Sequence, residues 1–445
     1  MAERRLIMDN GLARGSISLG VVLFAILTMT GTTEANDKLR RAYERVKGVS
    51  AQSNKSSGRV VIHAEGESKY KGAKRYKSKH YVIHTKLSQK RVVPIGQHLD
   101  RMFVLYEQRF GGLMKGEMSE MVLYLFETER AYQTFLQSKG VITSNSGGMF
   151  VYKGNEQFLA AWIGDKPLRD VLSTLQHEGF HQFAWHYLGI ELPVWMNEGL
   201  AQYFEDAVIT GNELSTGLAD AHRSRLVREM IAKGRIIPFA EMTRLDNDDW
   251  AVMLRTNADK ANRLYAQAWS VAYFLIHADN GRYAKSLNRY LTMISRGEDG
   301  EEAFKKAFAV SWETLKWRWR VYAKELESHP VNTAVERMKY LAVALKHLHE
   351  QKHKIPKTVR ELKKLLLRYQ FEVTWTINGR KRTIKANDDS LYMYPYQGRE
   401  EVFELLDASR NDLPPRIIAP GLDPEPMLTW SKGPGGKLVQ EIEYK

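Results

Sequence analysis

The feature that most constrains this chain is a pair of histidines four residues apart inside a segment with helical periodicity. The segment reads His177-Glu178-Gly179-Phe180-His181. Because residues i and i+4 share one face of a helix, the two imidazoles project together and are able to bind one metal ion. The apolar positions that predict this helix are Leu168, Val171, Leu172, Leu175, Phe183 and Leu188. We expect Asp165 to be its N-cap, Pro167 to lie in its first turn and Gly189 to end it.

Glu178 lies beside that ion if the ion is bound by both histidines. A divalent zinc lowers the pKa of a bound water toward neutrality, and a neighbouring carboxylate is able to take the proton and later pass it to a leaving amine. Catalytic zinc sites have three protein ligands and one open position. We therefore predict His177 and His181 as zinc ligands and Glu178 as the general base, with a third ligand elsewhere in the chain.

A second segment offers a candidate for the third ligand. Residues 195–205 read Trp-Met-Asn-Glu-Gly-Leu-Ala-Gln-Tyr-Phe-Glu, and Glu198 lies seventeen residues after His181. Residues 177–205 resemble the active-site helices of gluzincin zinc metallopeptidases, especially the aminopeptidase N type with its Asn-Glu-Gly-x-Ala-x-Tyr-x-Glu pattern. The resemblance implies Glu198 as third ligand. It also implies Glu205 as hydrogen-bond acceptor for a ligating imidazole, with Gln202 as a weaker candidate for an outer role.

A third segment resembles the Tyr-x-x-Gly-Ala helix of the same family. It reads Tyr265-Ala266-Gln267-Ala268-Trp269. The resemblance implies that Tyr265 donates a hydrogen bond to the oxyanion of the reaction. Ala268 replaces the family glycine, and Tyr273 on the same predicted helix competes for this role.

A fourth segment resembles the Gly-x-Met-Glu-Asn edge strand of the family. It reads Gly147-Gly148-Met149-Phe150-Val151. The resemblance implies that Gly148, Met149 and Phe150 pair with an extended substrate. Met149 and Phe150 as plain core residues are an equally good interpretation. Phe150 replaces the glutamate that captures a free amino terminus in the aminopeptidases, so an endopeptidase is slightly favoured over an aminopeptidase.

Residues 80 to about 327 most resemble an uncharacterised bacterial family of peptidase-MA-like domains, through the Leu-Pro-x-Trp-x-x-Glu-Gly-x-Ala segment and the Tyr-Ala-Gln-Ala-Trp helix. This implies an α+β, thermolysin-like catalytic domain over residues 80–329, with a small mixed sheet, a helical lobe and one Zn2+ per chain. The predicted strands are 59–63, 80–84, 121–126, 147–152 and 158–163. The further predicted helices are 94–110, 129–137, 195–204, 221–232, 264–277, 282–294, 301–308 and 312–326.

The N-terminus has the composition of a secretory signal. Arg4 and Arg5 precede an apolar run at residues 17–29, and small residues follow at a cleavage site predicted after Ala35. The run is shorter than the roughly 20 apolar residues of a membrane span, so cleavage is favoured over an uncleaved anchor. We therefore assign residues 1–35 to a signal peptide or anchor and expect an extracytoplasmic location.

Positive charge exceeds negative charge, with 66 Lys plus Arg against 52 Asp plus Glu and a net charge of +14. A polar basic entry segment is predicted at residues 36–79. A solvated surface is the simpler interpretation of this charge, and attraction to an acidic envelope polymer or a membrane surface is the alternative. No nucleic-acid-binding motif is present, so no nucleic acid partner is expected. The absence of cysteine excludes disulfides and thiol catalysis.

Residues 330–445 are predicted to form a small C-terminal α+β module. Helices are expected at 334–351 and 358–369, and strands at 371–377 and 380–385 around an Asn-Gly turn. Residues 338–362 resemble the helix and following turn of bacterial pseudopilins. An ordinary accessory module is an equally good interpretation.

Two functions from different classes follow from these motifs. The first is zinc-dependent hydrolysis of peptide bonds in a peptide or protein substrate outside the cytoplasm. The second is a catalytically idle, metal-binding protein of the cell envelope that binds or assembles partners. The intact Glu178 favours the first, because a binding module has no use for a general base. His186 is expected to be a surface or packing residue and Asp206 to face solvent.

Overall fold

The computed structural model describes residues 7–10, 54–55, 62–68, 70–114, 120–141, 146–153, 156–188, 192–210, 213–377 and 380–445. These residues form an α+β structure, as the sequence predicted. The helices are α1 (Gln89–Phe110), α2 (Glu129–Ser138), α3 (Leu168–Phe183), α4 (Val194–Glu205), α5 (Ala221–Ala232), α6 (Phe239–Met242), α7 (Asn247–Thr256), α8 (Ala258–Gly281), α9 (Ala284–Ile294), α10 (Gly300–Phe308), α11 (Trp312–Lys324), α12 (Pro330–Glu350) and α13 (Val359–Arg368).

The strands of the N-terminal two thirds of the chain are β1 (Ile7–Asn10), β2 (Asn54–Lys55), β3 (His63–Glu67), β4 (Lys74–Lys77), β5 (Tyr81–Thr85), β6 (Met121–Phe126), β7 (Gly148–Lys153), β8 (Glu156–Trp162), β9 (Val208–Thr210) and β10 (Glu213–Ser215). The C-terminal strands are β11 (Glu372–Ile377), β12 (Arg380–Lys385), β13 (Met393–Tyr396), β14 (Arg399–Val402), β15 (Glu404–Leu406), β16 (Arg416–Ile418), β17 (Pro426–Lys432) and β18 (Leu438–Tyr444).

Six strands form the sheet that carries the site, in the order β3-β4-β5-β6-β8-β7. The central strands β5, β6 and β8 run parallel to one another, and β7 returns antiparallel to β8. Strand β7 is therefore an edge strand of this sheet, and the outer side of its backbone pairs with no other strand of the described residues.

Both helices that carry the predicted metal ligands begin directly after a proline. Pro167 and Pro193 are the N-caps of α3 and α4, with ψ values of 141° and 132°. The expected N-cap Asp165 is wrong. Proline keeps the residue before it out of the helical conformation, so Lys166 is excluded from the helix and α3 begins only at Leu168.

Other expected ends of helices also differ from the structure, among them the start of α8, which is Ala258 instead of residue 264. Helix α1 begins at Gln89 instead of residue 94, so Pro94 lies inside it. The proline costs one backbone hydrogen bond near the start of the helix, and burial of Val92 offsets that loss. Helix α3 passes into a π-helical turn at Ala184–Leu188, and the predicted end at Gly189 lies outside the described residues.

Helices α3 and α4 are locked together by a buried glutamine. The side chain of Gln176 donates hydrogen bonds to the carbonyl oxygens of Phe204 and Ala207, at 3.0 and 2.8 Å. The Tyr106 hydroxyl in turn donates to the Gln176 carbonyl at 2.7 Å. These bonds satisfy polar groups that would be costly to bury alone, and they fix the distance between the two helices.

Helix α4 also packs very closely on α8. A Cβ atom at Gly199 would lie 2.5 Å from the Ala268 carbonyl oxygen, a distance that no side chain tolerates. Glycine beside Glu198 therefore lets the two helix backbones touch. Helix α8 leaves the helical conformation at Ala278, which agrees with its predicted end at residue 277.

The buried apolar residues fall into two large clusters and a smaller one beneath α2. The first large cluster runs from Ile62 to Leu326, and the second runs from Val331 to Leu438. Hydrogen bonds also link the two parts, since the Asn332 side chain donates to the Leu218 carbonyl at 3.0 Å. A domain boundary at residue 330 stays a prediction, because separate clusters alone do not show independent folding.

Most of the N-terminal segment predicted as a signal lies outside the described residues. Its described part, β1, pairs in parallel with β11, so cleavage after Ala35 would remove this strand from the sheet. Of the strand predicted at residues 59–63, only its last two residues are described, and β3 begins at His63. Within the described part of the chain, none of the helices has the length and apolar character needed to span a membrane.

Candidate metal centre

The structure brings His177, His181 and Glu198 together as a group that could bind a metal ion. One ligand atom from each residue lies within 4.8 Å of the other two. The Nε2 atom of His177 lies 3.4 Å from Glu198 Oε2, and that of His181 lies 3.7 Å from Glu198 Oε1. All three side chains are only slightly exposed, between 12% and 16%.

The donor set fits zinc. A tetrahedral zinc with ligands at about 2.0–2.1 Å separates its ligand atoms by roughly 3.3 Å, close to the distances from Glu198 to the two imidazoles. Glu198 Oε2 is buried and accepts no hydrogen bond from the part of the chain that the structure describes. A buried carboxylate oxygen without a donor is costly unless a cation binds it. Imidazole nitrogen and carboxylate oxygen are common ligands of zinc.

Each histidine has a hydrogen-bond acceptor behind it. His177 Nδ1 lies 3.2 Å from Glu205 Oε2, and His181 Nδ1 lies 3.0 Å from Asn197 Oδ1. An acceptor at Nδ1 favours the tautomer that carries its proton there, which leaves the Nε2 lone pair free toward Glu198. Gln202 is buried, and its Nε2 has no hydrogen-bond partner among the described residues, so its outer role stays a prediction.

Asn197 was missed by the sequence reasoning, although it stands next to Glu198 in the matched pattern. We predict that Asn197→Ala weakens zinc binding by about 10–100-fold, because His181 then loses the acceptor that orients its ring. Competition with a fluorescent chelator would measure the affinity. Asn197→Asp keeps an acceptor oxygen and is expected to bind zinc nearly as tightly as the wild type. Equal affinities for the alanine variant and the wild type would contradict this role.

A buried arginine on α5 supports Glu205. Arg223 is 5% exposed, and its Nη2 donates to Glu205 Oε2 at 3.0 Å. Its Nη1 donates to both carboxylate oxygens of Asp206 at 2.8 Å. Burial by itself would raise the pKa of Glu205, but the charges of Arg223 and His177 lower it to about 2. The carboxylate behind His177 is therefore ionised at neutral pH.

Asp206 does not simply face solvent, as the sequence reasoning expected. Its carboxylate is 15% exposed and is bound by Arg223. His186, expected at the surface or in packing, lies on the π-helical turn and is partly buried.

Glu178 lies between the metal group and the edge strand. Its Oε2 accepts a hydrogen bond from the backbone N–H of Phe150 at 2.8 Å. Burial raises the pKa of Glu178, against the opposing effects of His177 and His181. A carboxylate in this place is positioned to exchange protons with groups that approach the metal group along β7.

The three residues of the predicted substrate strand have different surroundings. Gly148 allows β7 to approach α3, because a Cβ atom there would lie 2.9 Å from Thr174 Cγ2. Met149 packs against the small apolar cluster that includes Phe126. Phe150 is only partly buried, and its ring centroid lies 6.1 Å from that of Tyr152.

Of the two tyrosines considered, Tyr265 is the one whose pKa is affected by the carboxylates of the site. Burial raises the pKa of Tyr265 well above its ordinary value, and the charge of Glu198 raises it further. Its ring packs edge-to-face on Trp250 with centroids 5.1 Å apart. The Tyr273 hydroxyl donates to the Gly217 carbonyl at 2.9 Å. The carboxylates of the site therefore act on Tyr265, whereas the Tyr273 hydroxyl is used in a structural hydrogen bond.

The fold and site define an α+β protein with a possible metal-binding group on two adjacent helices. Residues 171–296 match the family described as "Protein of unknown function (DUF1570)". The match starts in α3 and ends beyond α9, so it includes the metal group and Tyr265. The chain therefore contains a domain of this family, in agreement with the predicted resemblance to an uncharacterised family. No curated protein matches the chain.

Proposed function

We propose that this protein is a zinc-dependent peptidase of the gluzincin type. The observation that carries the proposal is the position of Glu178. This residue directly follows the potential ligand His177 in the chain, and its carboxylate accepts a hydrogen bond from the Phe150 N–H at 2.8 Å. A potential base is thereby held between a metal-binding group and the edge strand of the sheet, whose outer side pairs with no other described strand. A site that only stored a metal ion would need neither feature.

The proposed reaction uses residues of this chain in three roles. When bound, zinc acts as a Lewis acid toward the scissile carbonyl and makes water more acidic. Glu178 accepts a proton from the attacking water and donates it to the leaving amine. The Tyr265 hydroxyl donates a hydrogen bond to the oxyanion, while backbone groups of β7 hold the substrate in extended form.

Endopeptidase activity agrees better with the edge strand than aminopeptidase activity. An aminopeptidase needs an anion to hold the substrate's free amino group, and the matching position carries Phe150. Apolar side chains continue along this side of the strand, because the ring of Tyr152 stacks on Trp185 with centroids 4.2 Å apart. These rings favour contact with uncharged parts of a longer chain.

Metal content and hydrolysis test the proposal together. We expect the full chain to bind one zinc ion and to cut members of a diverse peptide library, with activity lost in a chelator and restored by added zinc. Mass spectrometry of the products would show whether the cuts are internal or terminal. Bound zinc without any hydrolysis across the library would refute the peptidase and favour the binding or assembly protein.

The role of Tyr265 has its own test. We predict that Tyr265→Phe lowers kcat by about 10²-fold with little change in KM, because the lost hydroxyl acts on the transition state. Tyr273→Phe is the matched control, since that hydroxyl is used in a bond to Gly217; its kcat should equal that of the wild type. Steady-state kinetics on one peptide would decide, and a larger loss of kcat in the control would transfer the role to Tyr273.

A further inference from the structure

Helix α3 and the π-helical turn that follows it lie along the edge strand β7, with contacts at alternate residues of the strand. Gly148 meets Thr174, as a Cβ on this glycine would lie 2.9 Å from Thr174 Cγ2. Two residues on, the N–H of Phe150 reaches Glu178. At the far end Tyr152 stacks on Trp185. Glu178 therefore contacts the middle of a path along this strand, and the surroundings differ at its two ends.

The backbone of β7 directs alternate groups away from β8, along this path. The Phe150 N–H points away from β8, since it bonds to Glu178. Outward and inward groups alternate in an antiparallel pair, so Gly148 and Tyr152 also direct backbone groups outward. An extended segment that pairs with β7 would span the path from the Tyr152 end to the Gly148 end.

A lysine lies at the glycine end of this path. The Nζ atom of Lys166 would lie 3.6 Å from a Cβ atom at Gly147, which immediately precedes the strand. The same Nζ lies 3.4 Å from the centroid of the Trp162 ring. The indole is itself fixed, because its N–H donates to the Ser146 carbonyl at 3.0 Å. The ammonium group is thus held at one place by an aromatic face.

Lys166 has no carboxylate partner within the described residues. None of the ion pairs or side-chain hydrogen bonds there includes its ammonium group. Asp170 and Glu129 act on it only at longer range, and burial outweighs them, lowering the pKa of Lys166 to about 8. A partly buried cation with only distant anions gains free energy when an anion binds it directly.

We propose that Lys166 forms an anion subsite that binds a carboxylate of the substrate about three residues from the bond that is cut. This inference rests on the proposed peptidase function. Gly147 precedes Phe150 by three strand residues, which corresponds to about 10 Å of extended chain. The carboxylate is either the free C-terminus of the substrate or an acidic side chain, since both present the same group.

Peptides with matched ends test the subsite. A cleavable peptide from the library would be prepared as two kinds of matched pair. In the first, the peptide ends three residues beyond the cut with a free carboxylate or with an amide. In the second, Glu or Gln stands three residues from the cut, on either side of it. We expect the wild type to show a KM about tenfold lower for the carboxylate member of one pair. In Lys166→Met the two members should have the same KM, and Lys166→Arg should restore the preference.

The control is a lysine that already has a partner. Lys139 lies beside the same hairpin and forms an ion pair with Glu156 on β8 at 2.6 Å. Lys139→Met removes the same charge from the protein and should keep the preference of the wild type. An equal loss of preference in both variants would mean general attraction by positive charge and would overturn the subsite.

Binding and cleavage are measured separately, so that the two proposals fail in different ways. Fluorescence anisotropy would report binding of the labelled peptides to Glu178→Gln protein, with and without Lys166→Met. Cleavage without any preference for a carboxylate, in KM or in binding, would overturn the subsite and leave the peptidase. A Lys166-dependent preference in binding without cleavage by the wild type would refute the peptidase and support the subsite as part of a binding groove.

Discussion

On the proposed mechanism, Glu178→Gln will abolish peptide hydrolysis while zinc stays bound. Glutamine has the shape of glutamate, and its carbonyl oxygen is still able to accept the Phe150 N–H that bonds to Glu178 at 2.8 Å. The amide is unable to take a proton from water, so the step that makes the nucleophile is lost. We expect kcat to fall by about 10³-fold. Stopped assays on one library-derived peptide would measure the rate, and mass spectrometry of the native protein would measure the zinc.

The control for this experiment is an acidic residue outside the site. Glu127 is exposed at the end of β6, and Glu127→Gln removes the same charge without touching the path along β7. Its kcat should equal that of the wild type. Cleavage by the Glu178→Gln variant at the wild-type rate would assign the base to another group, and loss of zinc from it would mean that Glu178 is needed to build the site.

The second large effect is expected from Arg223→Met. This change leaves the carboxylates of Glu205 and Asp206 close together and without the guanidinium that donates to both. Breaking a buried ion pair from one side costs about 3–5 kcal/mol of unfolding free energy. Urea denaturation of the metal-free protein would measure this loss. We also expect weaker zinc binding, since Glu205 would no longer be held against His177.

Two further variants make this prediction specific. Arg235→Met removes an exposed arginine and should change the unfolding free energy by less than about 0.5 kcal/mol. Adding Asp206→Asn to Arg223→Met neutralises one of the two carboxylates and should recover part of the lost stability. Equal stability of Arg223→Met and the wild type would contradict the structural role of this cluster.

The parts of the site that were predictable from sequence are those set by local spacing. His177 and His181 share a helix face because four residues make about one helical turn. The assignment of Glu178 as the base follows from its position between these two histidines. Glu198 is separated from His181 by the end of one helix and the start of another, so no periodicity relates them. Its assignment needed the resemblance to a known pattern.

The residues that were not predictable act across longer distances. Arg223 contacts Glu205 from a helix that begins after two further strands, and nothing in its neighbourhood in sequence marks it as buried. Asp206 looks like an ordinary charged residue after a helix for the same reason. The role proposed for Lys166 likewise depends on the pairing of β7 with β8, which brings Gly147 next to its ammonium group.

The secondary structure also divides into elements that were predictable from sequence and elements that were not. Strand β6 and helix α5 were predicted with their observed bounds, since a continuous apolar run marks the strand and a helical stripe marks the helix. The beginnings of α1 and α3 were misplaced because proline was read as lying in the first turn in both. In fact, it lies inside one helix and just before the other. The order of strands in the sheet depends on pairing between distant segments, which one sequence does not reveal.

The hydrogen bonds behind the ligands also tie the shape of the site to the packing of three helices. His177 and His181 come from α3, Glu198 comes from α4, and the arginine that holds Glu205 comes from α5. Three helices must therefore have docked before the site has its final shape. An ion that binds only this shape draws its affinity from the folded chain, so uptake of the ion and folding of the helical lobe are thermodynamically linked. With zinc as the proposed ion, a shortage of zinc in the surroundings would lower the stability of the protein as well as the proposed activity.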